Sequence, residues 1–363
     1  MSTPINVAWL PAAIDACALY RMFQPSLNCP NSRFLFRLGP LNTQELKGCQ
    51  VAVVQRQVSE HNLKAIRRMK ELGLRVIYDL DDNVWNLPSW NPGKQMFDSM
   101  QDGFHMCAAE SDIVTVSTLG LQKATLKHWE SLKKKVVIVP NGIDFRMFHQ
   151  KNLVKDDTIL VGWGGSNTHS EDCKYAFDNV CEVLDANPNT QMEIVGAPAL
   201  DFIDKWETVV IDGKINKRRT KMQVSSKIAM HKQSHFRRWV PVGEYANRFS
   251  SWGWDIALAP LAEHRFNLSK SCIKMLEAAA VKIPCLASNV QPYNEFASLG
   301  GEDLKWLLVN SDYQWKTKLQ ELIKDRNRRI YLGELMYKTA KKWFDASVIA
   351  SHWQHAFEQA LQC

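Results

Sequence analysis

Residues 255–296 read DIALAPLAEHRFNLSKSCIKMLEAAAVKIPCLASNVQPYNEF. Asp255 to Pro260 is a short apolar run stopped by proline, which suits a buried strand. A polar loop follows from Ala262 to Ser269. Then comes a predicted helix from Lys270 to Val281, rich in good helix formers and closed by Pro284. Ile283 to Ser288 reads as the next strand. Together these make one parallel β/α unit, and ligands of such sheets sit at the carboxyl ends of the strands. On the predicted helix Lys270, Lys274 and Glu277 stand at i, i+4 and i+7 and share a side, while Cys272, Leu276, Ala279 and Ala280 form the packing side. Two cations and a carboxylate at the mouth of a parallel sheet suit a nucleoside diphosphate and its ribose. Backbone N–H groups near Lys270 and Ser271 would add affinity for the anion. Spacing alone slightly favours the plainer alternative, a solvated face with Lys274 and Glu277 as a surface pair.

Outward from this stretch, strands and helices alternate in both directions. Ile5–Leu10 reads as a strand, with a helix around Cys17 to Phe23. Gln50–Arg56 is a strand and Glu60–Leu72 an amphipathic helix capped by Gly73. Leu74–Tyr78 is a strand that runs into Asp79-Leu80-Asp81-Asp82, so these carboxylates are expected at the ligand end of a parallel sheet. They suit a divalent metal, a base or acceptor for an attacking hydroxyl, or a turn cap. Asp81 and Asp82 stand ahead of Asp79 for the second role. Asn83–Asp102 reads as an irregular loop whose Trp85 and Trp90 would stack on a sugar or base, or simply cover the core. Asp112–Ser117 and Val136–Pro140 are further strands. A charged linker at 148–157 separates these from Thr158–Gly162, the strand that opens a second half. Trp163-Gly164-Gly165-Ser166-Asn167-Thr168-His169 follows it. Paired glycines between a strand and a helix let backbone amides approach a phosphate. His169 suits a phosphate or sugar contact, or a structural histidine.

Several motifs in order resemble the family-4-like glycosyltransferases of phages and bacteria, which have the GT-B fold. They are Tyr20-Arg21 followed by Pro25, the acids after the Leu74–Tyr78 strand, VIVPNGID at 137–144 and GWGGSNTH at 162–169. WVPVGEY at 239–245 and Phe266-Asn267, Lys270-Ser271, Lys274, Glu277, Pro284, Ala287-Ser288 and Pro292-Tyr293 complete the pattern. The resemblance implies an α/β chain of two Rossmann-like domains facing across a cleft. An acceptor domain would span 1–150 and a nucleotide-sugar domain 151–345, with a last helix at 346–363 crossing back. It implies retaining transfer from a nucleotide diphosphate sugar, most often a UDP-sugar, with no obligatory metal. Gly164, Gly165, Ser166, His169, Asn267, Lys270, Ser271, Glu277 and Arg21 would hold the donor, with Glu277 on the ribose and Lys270 on the departing diphosphate. Asp81 or Asp82 would orient the acceptor. The chain departs from the family at Ser269, where a glutamate contacts the donor sugar, and at Ala12-Ala13-Ile14, where related enzymes carry a glycine-rich turn.

The 363 residues are 45% hydrophobic and 23% charged, enough chain for two domains. No apolar run is long enough to span a membrane. No secretion signal is read at the start, and nine scattered cysteines without CxxC spacing point to a reducing cytoplasm, that of a host cell if the chain is phage-encoded. The net charge is +7, and the stretch 213–239 holds nine lysines and arginines with no acid. Lys214, Lys217, Arg218, Arg219, Lys221, Lys227, Arg237 and Arg238 lie in a basic insertion at about 205–238 that suits the phosphates of double-stranded DNA. Acidic lipid headgroups and a merely solvated loop are the alternatives. The expected acceptor is a 5-hydroxymethylpyrimidine in phage DNA. A surface-polysaccharide or lipid-linked acceptor is the second possibility, and a non-catalytic nucleic-acid-binding protein on a decayed transferase fold the third.

Overall fold

The computed structural model describes residues 5–35, 41–150, 157–196, 205–211, 214–220, 228 and 231–363. These form two compact units, each built on a six-stranded parallel sheet.

The first sheet has the order β2-β1-β3-β4-β5-β6, with β1 Val7–Leu10, β2 Ser32–Phe34, β3 Val51–Gln55, β4 Arg75–Leu80, β5 Ile113–Val116 and β6 Val136–Ile138. Its strands are apolar runs without alternation because helices cover both faces. On one face Leu63, Ile66 and Met69 of the helix Glu60–Glu71 pack with Val54, Val76 and Tyr78. Ser59 and Asn62 close that helix with a capping box. On the other face the helix Ala346–Gln362 seats Trp353 and Phe357 against Trp9, Val53 and Ile77. This unit comprises Met1–Phe148, Lys338–Cys363 and one inserted segment, Glu263–Leu276.

The second sheet has the order β11-β8-β7-β12-β13-β14, with β7 Ile159–Gly164, β8 Thr190–Val195, β11 Ser234–Arg237, β12 Ile256–Ala259, β13 Cys285–Ser288 and β14 Leu308–Val309. Between β8 and β11 the chain makes a separate antiparallel pair, β9 Lys205–Ile211 and β10 Lys214–Thr220. The register pairs Ile211 with Lys214 and Lys205 with Thr220. The basic insertion therefore contains a strand pair that a reading based on charge alone misses.

In both sheets strand order reverses once, between β1 and β3 in the first and between β7 and β12 in the second. Such switch points open a crevice at the carboxyl ends of the strands. Other departures from the expected elements are local. The segment 83–102 contains a helix, Lys94–Ser99, and a second helix begins at Gln101. The first helix after β1 is broken into Ala16–Ala18, a π-helical turn Leu19–Phe23 and Gln24–Asn28. The helix expected from Lys270 begins at Ile273, after a 3₁₀ turn at Asn267–Ser269. Lys270 and Ser271 thus precede the helix, and Lys270 does not share a helical face with Glu277.

Candidate functional site

In the first unit, charged groups gather where β1, β3 and β4 end. β3 stops at Gln55, and Arg56 follows with a left-handed φ of 44°. Its Nη2 meets Asp15 Oδ2 at 2.7 Å, and its Nε lies 3.3 Å from Asp81 Oδ1. Burial raises the carboxyl pKa of Asp81 to about 6 despite the Arg56 cation, with Asp82 and Asp79 adding to the rise. The Cys17 thiol is pushed well above its ordinary value by burial and by Asp81. Cys17 Sγ and the carboxylates of Asp81 and Asp82 lie within 4.8 Å of one another, close enough to share a cation. Arg56 already supplies positive charge there, and a protonated thiol is a poor ligand.

Asp79 serves another purpose. It lies within β4, fully buried, and takes hydrogen bonds from Arg21 Nε and Nη2 and from Thr115 Oγ1. Arg21 is 1% exposed, stacks on Trp353, and donates from Nη1 to Val139 O and Asn141 Oδ1. Its expected ligand contact is replaced by a structural one: the guanidinium is enclosed and joins the first helix to β4 and to the turn after β6.

Lys270 belongs to the segment that packs within this unit. Its Nζ is 3.8 Å from Asp82 Oδ1 and 4.5 Å from the centre of the Phe266 ring. Asp82 keeps a quarter of its side chain exposed, whereas Asp81 is almost enclosed. Lys270 and Asp82, 188 residues apart in number, thus meet at the end of β4. Asn267 is buried, and Ser271 Oγ accepts from Asn141 Nδ2 at 2.8 Å. Ser269 is also buried and accepts from Asn83 Nδ2 at 3.0 Å. Of the two tryptophans read as stacking on a ligand or covering the core, Trp85 is partly buried against the core, stacked on His128 and edge-on to Trp129. Trp90 sits edge-on to His264.

In the second unit the switch point between β7 and β12 is held by Asp172. Its Oδ2 pairs with His169 Nδ1 at 2.8 Å and its Oδ1 accepts from Ala262 N at 2.8 Å. His169 remains partly exposed, with its ring fixed by this pairing through Nδ1. The glycines are explained largely by packing. A Cβ at Gly162 would come 1.8 Å from the Trp254 ring, and one at Gly165 2.7 Å from Trp163. The Gly165 amide donates to Val195 O, so it serves the sheet rather than a phosphate. Gly164 ends β7, and Ser166 is exposed with its hydroxyl on Thr168. Glu277 is 1% exposed and accepts from the Tyr245 phenol, whose pKa is driven well up by burial and by that carboxylate. A cavity of about 320 Å³ in this unit is lined by Asp255, Lys282, Pro284 and Arg329. It lies at the amino ends of β12 and β13, away from these groups.

Of the basic residues, Lys214, Lys217, Arg218 and Arg219 fall on β10, whose backbone alone is described, and Lys221 and Lys227 lie outside the described residues. Arg237 is already paired with Glu193, whose other oxygen accepts from Trp254 Nε1. Arg238 is exposed. Sequence reasoning missed Arg56, Asp172 and Tyr245. The first had a signal, a cation closing the apolar run VAVVQ, and the second stands at i+3 from His169.

Two parallel six-stranded sheets with their helices define the GT-B class of fold. No family model and no curated protein matches the chain. Solved structures do. A glycosyltransferase from Rickettsia africae aligns with a TM-score of 0.65 at 11% identity, over 99% of this chain and 100% of that one. HepE of Anabaena, solved with UDP and glucose, aligns at 0.60 and 12% identity over 98% and 99% of the two chains. Sucrose-phosphate synthase from Thermosynechococcus elongatus aligns at 0.59 and 13% over 98% of both. At these identities the likeness is one of fold, and activity is argued from the site. Among the described residues no helix is long and apolar enough to cross a membrane.

Proposed function

We propose that this protein is a glycosyltransferase that moves a sugar from a nucleotide diphosphate sugar to an acceptor hydroxyl with retention of configuration. The observation that carries the proposal is the pairing of Lys270 with Asp82 at the end of β4. A cation beside a partly exposed carboxylate suits a reaction in which a diphosphate departs while a hydroxyl attacks. Lys270 offsets the charge that grows on the leaving diphosphate. Asp82 accepts the hydrogen bond of the acceptor hydroxyl, and Asp81 behind it, with its carboxyl titrating near pH 6, takes up the released proton. Glu277, held by Tyr245, receives the ribose hydroxyls. His169, whose ring Asp172 orients, is the proposed contact to the donor's phosphate or sugar, supported by the motif resemblance. A UDP-sugar is the proposed donor, supported by the motif resemblance; no resident metal enters this scheme.

The proposed acceptor is a 5-hydroxymethylpyrimidine in double-stranded DNA. The acid-free basic run at 213–239 supports it, because lysine and arginine neutralise phosphates without reading sequence. An enzyme acting on a base in a duplex extrudes it first, and Trp90 offers a ring for stacking.

The test is nucleoside mass spectrometry. Duplex DNA with hydroxymethylcytosine, and plain duplex as control, is incubated with a panel of UDP- and GDP-sugars and digested. A hexose or pentose gain on the modified base alone is the expected result. A gain only on glycan or lipid-linked acceptors run in parallel moves the acceptor to that class. No transfer to any acceptor by protein that binds nucleotide sugar removes the enzymatic reading. Lys270→Ala lowers kcat by about 10²- to 10³-fold, the usual loss when one group stabilising a departing charge is deleted.

A further inference from the structure

We infer that Asn83, Thr118 and Asn141 are positioning residues that aim Lys270, by holding Ser269 and Ser271 on either side of it. The inference rests on the reading of Lys270 as the diphosphate-binding cation. A lysine side chain is long and flexible, so its useful placement depends on how firmly its backbone is held. Here the hold is unusually complete. Thr118 Oγ1 donates to Ser269 O at 2.8 Å and accepts from Leu121 N at 3.0 Å, so the same hydroxyl caps the helix Leu119–His128 and pins residue 269. Asn83 Nδ2 donates to Ser269 Oγ, and the asparagine is 2% exposed. Beyond Lys270, Asn141 Nδ2 donates to Ser271 Oγ while its Oδ1 accepts from Arg21 Nη1.

Asp79 fixes Arg21, Arg21 fixes the Asn141 amide, and Asn141 fixes Ser271. The buried ion pair therefore acts on Lys270 through one intervening amide. Gly120 adds a steric term: a Cβ there would lie 2.5 Å from Leu268 O, so the helix start presses directly on the peptide before Ser269. Ser269 becomes the point of attachment for two of these contacts.

The test separates positioning from mere stability. Calorimetry first selects the nucleotide from UDP, GDP and ADP, and then compares the diphosphate with its nucleoside. Thr118→Val and Asn141→Ala each weaken the diphosphate by about tenfold, one charge-assisted contact's worth, and leave nucleoside affinity unchanged. Thr118→Ser restores the parent value to within about twofold. Asn83→Ala provides a third variant should one of the others fail to fold, with thermal midpoints recorded for all. Lys270→Ala is the control. If it leaves the ratio of the two affinities unchanged, the reading of Lys270 fails. If Lys270→Ala collapses the ratio while the folded Thr118, Asn141 and Asn83 variants keep it, the positioning role is overturned and the contacts are structural only. A parent protein that binds none of the diphosphates overturns the donor reading and this inference with it.

Discussion

The two switch points solve the same problem by different means. In the first unit the strand ends carry charges drawn from distant parts of the chain, Arg21, Asp79 and Asp81 buried, Arg56 nearly so and Asp15 at the rim. In the second unit the equivalent position is held by Asp172, bonded to His169 and to Ala262 N, and glycines of β7 and the turn after it make room for tryptophan rings. Ionic webs fix several side chains at once, but each member depends on its partners, because an ion left alone in the interior is costly. A shape-based solution has no such dependence on charge, yet it tolerates almost no added volume. The first unit should therefore be sensitive to charge and pH, and the second to size.

The largest expected effect breaks the first web. Asp79→Leu leaves Arg21 buried without its counter-ion and should cost about 3–5 kcal/mol of stability by denaturant titration. Adding Arg21→Met to that variant should recover much of the loss, since two apolar residues need no pairing. An equal loss in the double variant would mean that packing on Trp353, rather than charge, is what the site requires. Gly162→Ala tests the second unit. One methyl against the Trp254 ring should cost about 3 kcal/mol, at the upper end for an overpacked core. A near-neutral result would show that the tryptophan can yield and that the comparison between the units is too sharp.

The smallest effect concerns pH. The Asp81 carboxyl is raised to about 6 in the folded protein, so the fold holds that proton more tightly than the unfolded chain does. Its contribution is present at low pH and is lost as pH rises from about 4 through about 6. Asp81→Asn should flatten the dependence of stability on pH between about 4 and about 6. Unchanged pH dependence in the variant would place the titration on another group.

Much of the architecture was legible in the residues. Apolar runs such as VAVVQ and DIALAP are long enough to be strands and are followed by turn residues, so the alternation in both halves follows from local pattern. The antiparallel pair β9–β10 was obscured by the charge of the sequence around it. The helix at Lys270 shows the opposite limit. Its composition favours a helix from that residue onward, but tertiary contacts at Ser269 and Ser271 hold the backbone in another conformation until Ile273. Propensity differences of a few tenths of a kcal/mol yield to two or three hydrogen bonds.

Residue identities and spacing alone put Lys270, His169 and the acids after β4 in the loops that follow strands. A strand–loop–helix unit places its loop residues at the strand ends whatever the rest of the chain does. Whether each becomes a ligand group or a part of the scaffold was decided by tertiary structure. Arg21 and Asp79 lie 58 positions apart and Lys270 and Asp82 lie 188 apart, so neither pairing leaves a local pattern. The first pair is enclosed and the second is not. Burial, which only the folded chain defines, turns the former into a structural element and leaves the latter available for chemistry.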